Sequence, residues 1–262
     1  MPRVGTDSIW IAALRKRADL VNCATRAQAA SLLSTLLRAY VRAGLRVLVG
    51  WDFPLGYPDG FARRIGARGA LGVWRILARV VRDGVDNRSN RFEAAAALNA
   101  RARADLFWGC PAGTRGLCAT RPALALPEFR LCELALRERG LRPHSPWKLF
   151  TSGSCGSQAL TGLPRVLALH EAAGLRAHSC VWPLETGFRL PRRRPLVVHA
   201  EIWPTALGFD AKLHRIRDAA QVLSAVRWMQ TEDAAGRLAA RFGPPQGVNR
   251  AVAQREGWVL GV

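Results

Sequence analysis

Lysine is nearly missing from this sequence: Lys16, Lys148 and Lys212 stand against 39 basic residues in all. Acids are scarce as well, with 19 Asp and Glu, and the formal charge is +20. Such an arginine surplus favours polyanionic partners, because the guanidinium fork matches phosphate in a bidentate way. An Ala-, Arg- and Gly-rich chain also arises from a GC-rich genome, so charge alone does not establish a nucleic-acid partner. No two of Cys23, Cys110, Cys118, Cys132, Cys155 and Cys180 are spaced C-x-x-C. None makes a zinc-finger spacing with His144, His170, His178, His199 or His214, which excludes such metal motifs. Scattered thiols predict a reduced cytosol. The N-terminus lacks a continuous apolar signal region, and no apolar run is long enough to span a bilayer. The expectation is a soluble cytoplasmic protein without a membrane partner. A solenoid repeat is absent. The Gly/Ser stretch Thr151-Ser152-Gly153-Ser154-Cys155-Gly156-Ser157-Gln158 lacks the Gly-Lys-Ser/Thr of a P-loop and the spaced glycines of a dinucleotide fingerprint.

What is present is enough chain for a real core. The 262 residues are 49% hydrophobic and 22% charged, ordinary for one large α/β domain. One stretch organises the rest: Val47-Leu48-Val49-Gly50-Trp51-Asp52-Phe53-Pro54-Leu55-Gly56-Tyr57-Pro58. It begins as a buried strand, reaches a carboxylate at Asp52 and is broken by Pro54, Gly56 and Pro58. An isolated Asp there would merely cap a turn. The pattern recurs, however, in Leu196-Val197-Val198-His199-Ala200-Glu201-Ile202-Trp203-Pro204. Acids at strand exits occupy the edge where open α/β sheets gather ligands.

In chain order, a strand from Ser8 to Leu14, a basic turn Arg15-Lys16-Arg17 and a strand from Ala18 to Cys23 predict a hairpin. Thr25 caps a helix over Arg26 to Ala43, ended by Gly44. The organising strand follows. Asp59 to about Asp105 reads as helical, with one helix ending at Gly84. An Ala-rich helix through Ala104 follows, capped by Ser89 or Asn90, with Glu93 in a capping-box position. Phe107 to Pro127 is a loop and Glu128 to Arg139 a further helix. Pro146 to Phe150 is extended, and a helix runs from the Gly/Ser loop to about Ala173. His178 to Trp182 is a strand. Arg192-Arg193-Arg194 forms a turn before the Glu201 strand, either solvated or in reach of a backbone phosphate, and Ile216 to Met229 is a helix with Asp218 in its first turn.

Asp52 and Glu201 at strand ends and Asp218 at a helix start can converge on one sheet edge. Three carboxylates without salt-bridge partners repel one another, and a hard cation, Mg²⁺ or Mn²⁺, is the natural compensation. Two such ions suit phosphodiester hydrolysis. The ribonuclease-H-like architecture delivers acids in this manner. The predicted fold is therefore α/β: a ribonuclease-H-like mixed sheet with flanking helices, in one domain over 1–262 with a mostly helical insertion at about 59–140. His199 stands two residues before Glu201 and so on the same strand face; the other histidines read as structural.

On these residues the chain resembles the predicted ribonuclease-H-like nuclease family, a domain of unknown function marked by a DFP-G-P strand end. The matching segments are Asp52 to Pro58, Glu201-Ile202-Trp203-Pro204 and Arg217-Asp218-Ala219-Ala220. Asp7-Ser8-Ile9-Trp10-Ile11, Asn87 to Asn99, Lys148 to Gly162 and Glu256-Gly257-Trp258 also match. The resemblance implies catalytic, metal-binding acids at Asp52, Glu201 and Asp218, and a cleft lined by Asn87, Arg91, Lys148 and Gln158. It also implies an earlier strand carrying a first catalytic Asp, for which Met1 to Gly5 leaves no room. Either the start lies upstream or the central acid is lacking, and Asp7 is a poor substitute. The leading expectation is thus a metal-dependent nuclease acting on RNA or DNA. Two others compete: a non-catalytic nucleic-acid or ligand-binding protein, and an accessory role in molybdopterin or cobalamin synthesis. The last is a label that relatives of this kind have carried, without a methyl-donor or nucleotide fingerprint here to support it.

Overall fold

The computed structural model describes residues 9–14 and 18–262. Asp7, Ser8 and the basic turn Arg15-Lys16-Arg17 lie outside the described residues. The hairpin forms as expected: β1 (Ile9–Leu14) and β2 (Ala18–Cys23) pair antiparallel, Ile9 opposite Cys23. Helix α1 (Arg26–Arg42) starts where Thr25 accepts a hydrogen bond from the Gln28 N–H. It is followed by Gly44 at φ 69°, a conformation that favours glycine. Strand β3 (Arg46–Trp51) comes next.

Between β3 and the rest of the sheet lie α2 (Phe61–Arg64), α3 (Gly69–Val80), α4 (Arg91–Ala102) and α5 (Leu131–Glu138). Helix α6 (Cys155–His170) leads into β4 (Ser179–Val181), and then β5 (Leu196–Glu201), α7 (Arg217–Ala234) and α8 (Arg250–Glu256) follow. Helix α3 stops before the expected Gly84 because Asn90 folds back on it: the Asn90 amide donates to the Val80 carbonyl and accepts from the Arg82 N–H. For the same reason Asn90 does not cap α4 with its side chain. Pro146 to Phe150 is not a strand, and its only ladder contact is a bridge between Lys148 and Trp108.

The fold is mixed α/β, with eight α-helices, an antiparallel hairpin and a parallel three-stranded sheet in the order β3-β5-β4 among the described residues. A single mixed sheet is not seen there: no described strand joins the hairpin to β3. The hairpin instead packs on α7, with Trp10 against His214 at 5.6 Å. Among the described residues β3 is therefore an edge strand. Its run is half-buried rather than fully buried, whereas the central β5 is buried at every position.

One core cluster lies under the insertion, where Trp74, Phe61, Phe107 and Trp147 meet Leu160 and Leu163 of α6. A second gathers Trp182, Trp258 and Phe242 on the β5 side. The six cysteines are free thiols. No helix among the described residues is long and apolar enough to cross a membrane.

Candidate functional site at the carboxyl edge of the sheet

The three parallel strands end together. In register, Trp51 of β3 stands opposite Glu201 of β5, so Asp52 is the first residue past the sheet. Helix α1 returns through Gly44 into β3, and α6 returns through a short 3-10 turn into β4. Both helices therefore begin at this carboxyl edge. Helix α7, following β5, begins near it as well and carries Asp218 in its first turn.

Asp52, Glu201 and Asp218 do converge electrostatically. The surrounding protein, and then the like charges of Glu201 and Asp218, push the Asp52 carboxyl up to about 7. Asp52 as a residue nevertheless remains exposed. Among the described residues nothing donates a hydrogen bond to the Asp52 carboxylate.

Glu201 has a different life. It is 4% exposed, and both of its oxygens are occupied by Arg130, whose Nη1 donates to Oε2 at 2.8 Å and Nη2 to Oε1 at 2.6 Å. The Leu55 N–H adds a third bond at 2.8 Å. Burial pushes the Glu201 carboxyl up, against the pull of Arg130. Arg130, fully buried, also donates to Glu133 and to the Glu256 carbonyl. The Glu256 carboxylate in turn accepts from the Asp59 and Leu131 N–H groups, both at 2.7 Å.

Most of the strand-end motif is thereby explained by architecture. The Leu55 carbonyl accepts from the Trp74 indole at 2.8 Å. A Cβ on Gly56 would stand 2.2 Å from the Glu256 carbonyl oxygen. Phe53 rests on Gly162 of α6, where a Cβ would come within 2.5 Å of the ring. Only Asp52 is left over.

The remaining candidates divide. Asn87, at φ 67°, ties its turn to α1: its amide accepts from the Arg26 N–H and donates to the Ala24 carbonyl, both at 2.9 Å. Its side chain is thus spent on architecture. Arg91 opens α4, with its guanidinium carbon 4.4 Å over the Phe92 ring. Lys148 donates to the Ser152 carbonyl at 2.7 Å. Gln158 is exposed in the first turns of α6, four residues before Gly162 and so on the face that receives Phe53.

His199 is not at the edge chemically. It is 1% exposed; its Nδ1 accepts from the Trp51 indole at 3.2 Å, and its Nε2 meets Ser179 Oγ at 3.0 Å. Ser179 also bonds His170 Nδ1 at 2.9 Å, and His170 Nε2 lies 3.4 Å from Glu185. Burial, then the neighbouring His170, lowers His199 to about 3. The Trp51 donor leaves the proton on Nε2, which donates to Ser179.

Sequence reasoning missed Arg130 and the trio Arg26, Asp83 and Arg165. For Arg130 a signal existed: Arg130 and Glu133 are three apart at a helix start. Nothing local pointed from Arg130 to Glu201.

Among the described residues no group of three or more His, Cys, Asp and Glu side chains is disposed to hold a metal ion. The donor chemistry nevertheless fits one hard, hydrated divalent cation. The Asp52 carboxylate is unbonded and raised by burial and then by the charges of Glu201 and Asp218, and Mg²⁺ is commonly held by one or two carboxylates plus water and phosphate. Glu201, saturated by Arg130, fits as second-rank support rather than as a ligand. Comparison of the chain with protein-family models, curated proteins and solved structures returns no match.

Proposed function

We propose that the carboxyl edge hydrolyses phosphodiesters of nucleic acid with Mg²⁺ or Mn²⁺, as in a ribonuclease-H-like nuclease, and that Asp52 is its central residue. The observation that carries this reading is the leftover status of Asp52. Every neighbour in the strand-end motif serves packing or a hydrogen bond, while Asp52 is exposed, unbonded and held near two like charges. An exposed carboxylate with a strongly raised pKa at a ligand-binding edge is a mark of function rather than of stability.

The residues that would hold the ion are Asp52 and Asp218. The ion, when bound, supplies Lewis acidity toward a phosphate oxygen. Without an ion, burial and then the like charges hold the Asp52 carboxyl up to about 7, and a cation held there would favour its charged form. Glu201 and Arg130 fix the Leu55 backbone and through it the direction in which Asp52 leaves β3. The chain's +20 charge draws the polyanion to the protein.

A second reading, nucleic-acid binding without turnover, is favoured by one observation: Glu201 is committed to Arg130, which leaves fewer ligands than a two-ion site needs. Mn²⁺ titration calorimetry and hydrolysis of labelled RNA and single-stranded DNA, on the intact chain and on Asp52→Asn, separate the two. The nuclease reading expects Mn²⁺ binding that Asp52→Asn abolishes and a rate that falls at least about 100-fold. The variant should fold, because the carboxylate makes no hydrogen bond. Absence of Mn²⁺ binding by the intact chain moves the conclusion to the second reading.

A further inference from the structure

Three arginines, from α1, α4 and α6, gather at the turn between α3 and α4. The Asp83 carboxylate, 7% exposed, accepts from Arg26 Nε at 2.9 Å and from Arg165 Nη2 at 3.1 Å. Burial, then the nearby Arg26, holds the Arg91 guanidinium below its usual range, against the pull of Glu93. Three guanidinium groups face two carboxylates, Asp83 between Arg26 and Arg165 and Glu93 near Arg91, which leaves one positive charge over. Like charges gathered in a half-buried turn cost stability, so the cluster calls for an anion.

The polar bookkeeping of the same turn points the same way. Six buried side-chain polar atoms lack a hydrogen-bond partner among the described residues, and two of them, Ser89 Oγ and Arg91 Nε, fall here. Arg91 Nε is the only one of the six on a charged group. A buried donor left unbonded costs roughly 1–3 kcal/mol, and native proteins rarely leave one idle without a use. The turn is also held rigid. Asn87 pins it to the start of α1, Asp83 bridges α1 to α6, and the Phe92 ring supports the Arg91 guanidinium.

What distinguishes the anion is its surroundings. Phe92 meets Phe150 edge-on with ring centroids 6.2 Å apart. Phe150 is 39% exposed, one of few large apolar side chains so open. An arginine fork beside an open aromatic ring matches a backbone phosphate flanked by an unstacked base. We propose that Arg91 and Ser89, backed by Arg26 and Arg165, bind a phosphodiester of single-stranded nucleic acid, with Phe150 stacking on the adjacent base. This rests on nucleic acid as the partner of the carboxyl edge, and it is independent of turnover there.

The test is fluorescence anisotropy of a fluorescein-labelled single-stranded oligonucleotide with EDTA present, so that neither metal nor cleavage contributes. Arg91→Gln is expected to weaken binding about tenfold and to lower the salt slope by about 0.7, the release of one phosphate contact. Phe150→Ala is expected to weaken it about tenfold with the slope unchanged. Arg91→Lys should restore the slope and only part of the affinity. Because metal is chelated, a failure of the nuclease reading leaves these expected affinities unchanged, and a failure here leaves the Mn²⁺ titration unchanged. Intact affinity and slope in Arg91→Gln would overturn the proposal, as would failure of the intact chain to bind the oligonucleotide. So would an outcome in which inorganic phosphate competes at matched ionic strength and Phe150→Ala has no effect, because the site would then take free phosphate. Thermal melts of each variant, matched to the intact chain, exclude loss of fold.

Discussion

His199 lies within hydrogen-bonding range of two partners and out of reach of solvent, which decides what protonation does to it. Its folded value is lowered to about 3 from an ordinary 6.5, so between those values the unfolded chain binds the proton and the folded one refuses it. The stabilisation is complete above about pH 6.5 and is lost as the pH falls toward about 3. Denaturant melts across that range should lose stability steadily, by roughly a few kcal/mol. His199→Gln, which can keep a bond to Ser179, should flatten the curve. A slope unchanged in the variant would assign the acid lability to other groups. The same residue shows how a two-residue spacing misleads. His199 and Glu201 share a strand with alternating faces, and sequence can align them but cannot reveal that Trp51 and Ser179 occupy both ring nitrogens.

Elements were legible where one segment carried its own instructions. Thr25 and Gly44 bound α1, the hairpin follows from alternating short runs, and the two strand-end acids reach the same edge, one residue apart in register, because both strands are parallel and end in a breaker. What could not be read was anything decided by a distant partner. The early stop of α3 is set by Asn90 reaching back to Val80. The half-burial of β3 reflects its place at the sheet edge. Pro146 to Phe150 has the look of a strand but only one ladder neighbour, Trp108. Gly56 looked like a turn residue, yet its need is close approach: the chain after α8 passes so near that a methyl group would stand 2.2 Å from the Glu256 carbonyl. Gly56→Ala should therefore force backbone apart and destabilise by about 3 kcal/mol. Gly44→Ala, with open space around it, should cost only its positive φ, about 1 kcal/mol. Thermal unfolding of the two variants side by side checks the ranking; equal losses would refute the close-contact argument.

At the scale of the molecule, Arg130 is the clasp. It belongs to the inserted helices, yet it pairs with Glu201 of the central strand and the Glu256 carbonyl at the end of α8. Removing one partner of a buried charge network strands the others, at about 3–5 kcal/mol. Arg130→Met leaves Glu133 and Glu201 facing each other without a counter-charge, so it should unfold at markedly lower denaturant. Part of the loss should return at acidic pH, as the carboxyls take up protons. A loss independent of pH would mean that packing, not charge, is what Arg130 supplies.

The clasp also orders events in time. A growing polypeptide emerges with Asp52 early, Arg130 later, Glu201 later still and Glu256 after that. The Leu55 N–H that sets the exit of β3 has no Glu201 to hold it until β5 is made, and the turn at Gly56 has no neighbouring carbonyl until α8 is made. An unfinished chain thus cannot display an ordered carboxyl edge. Whatever chemistry Asp52 carries thus waits until α8 has been made.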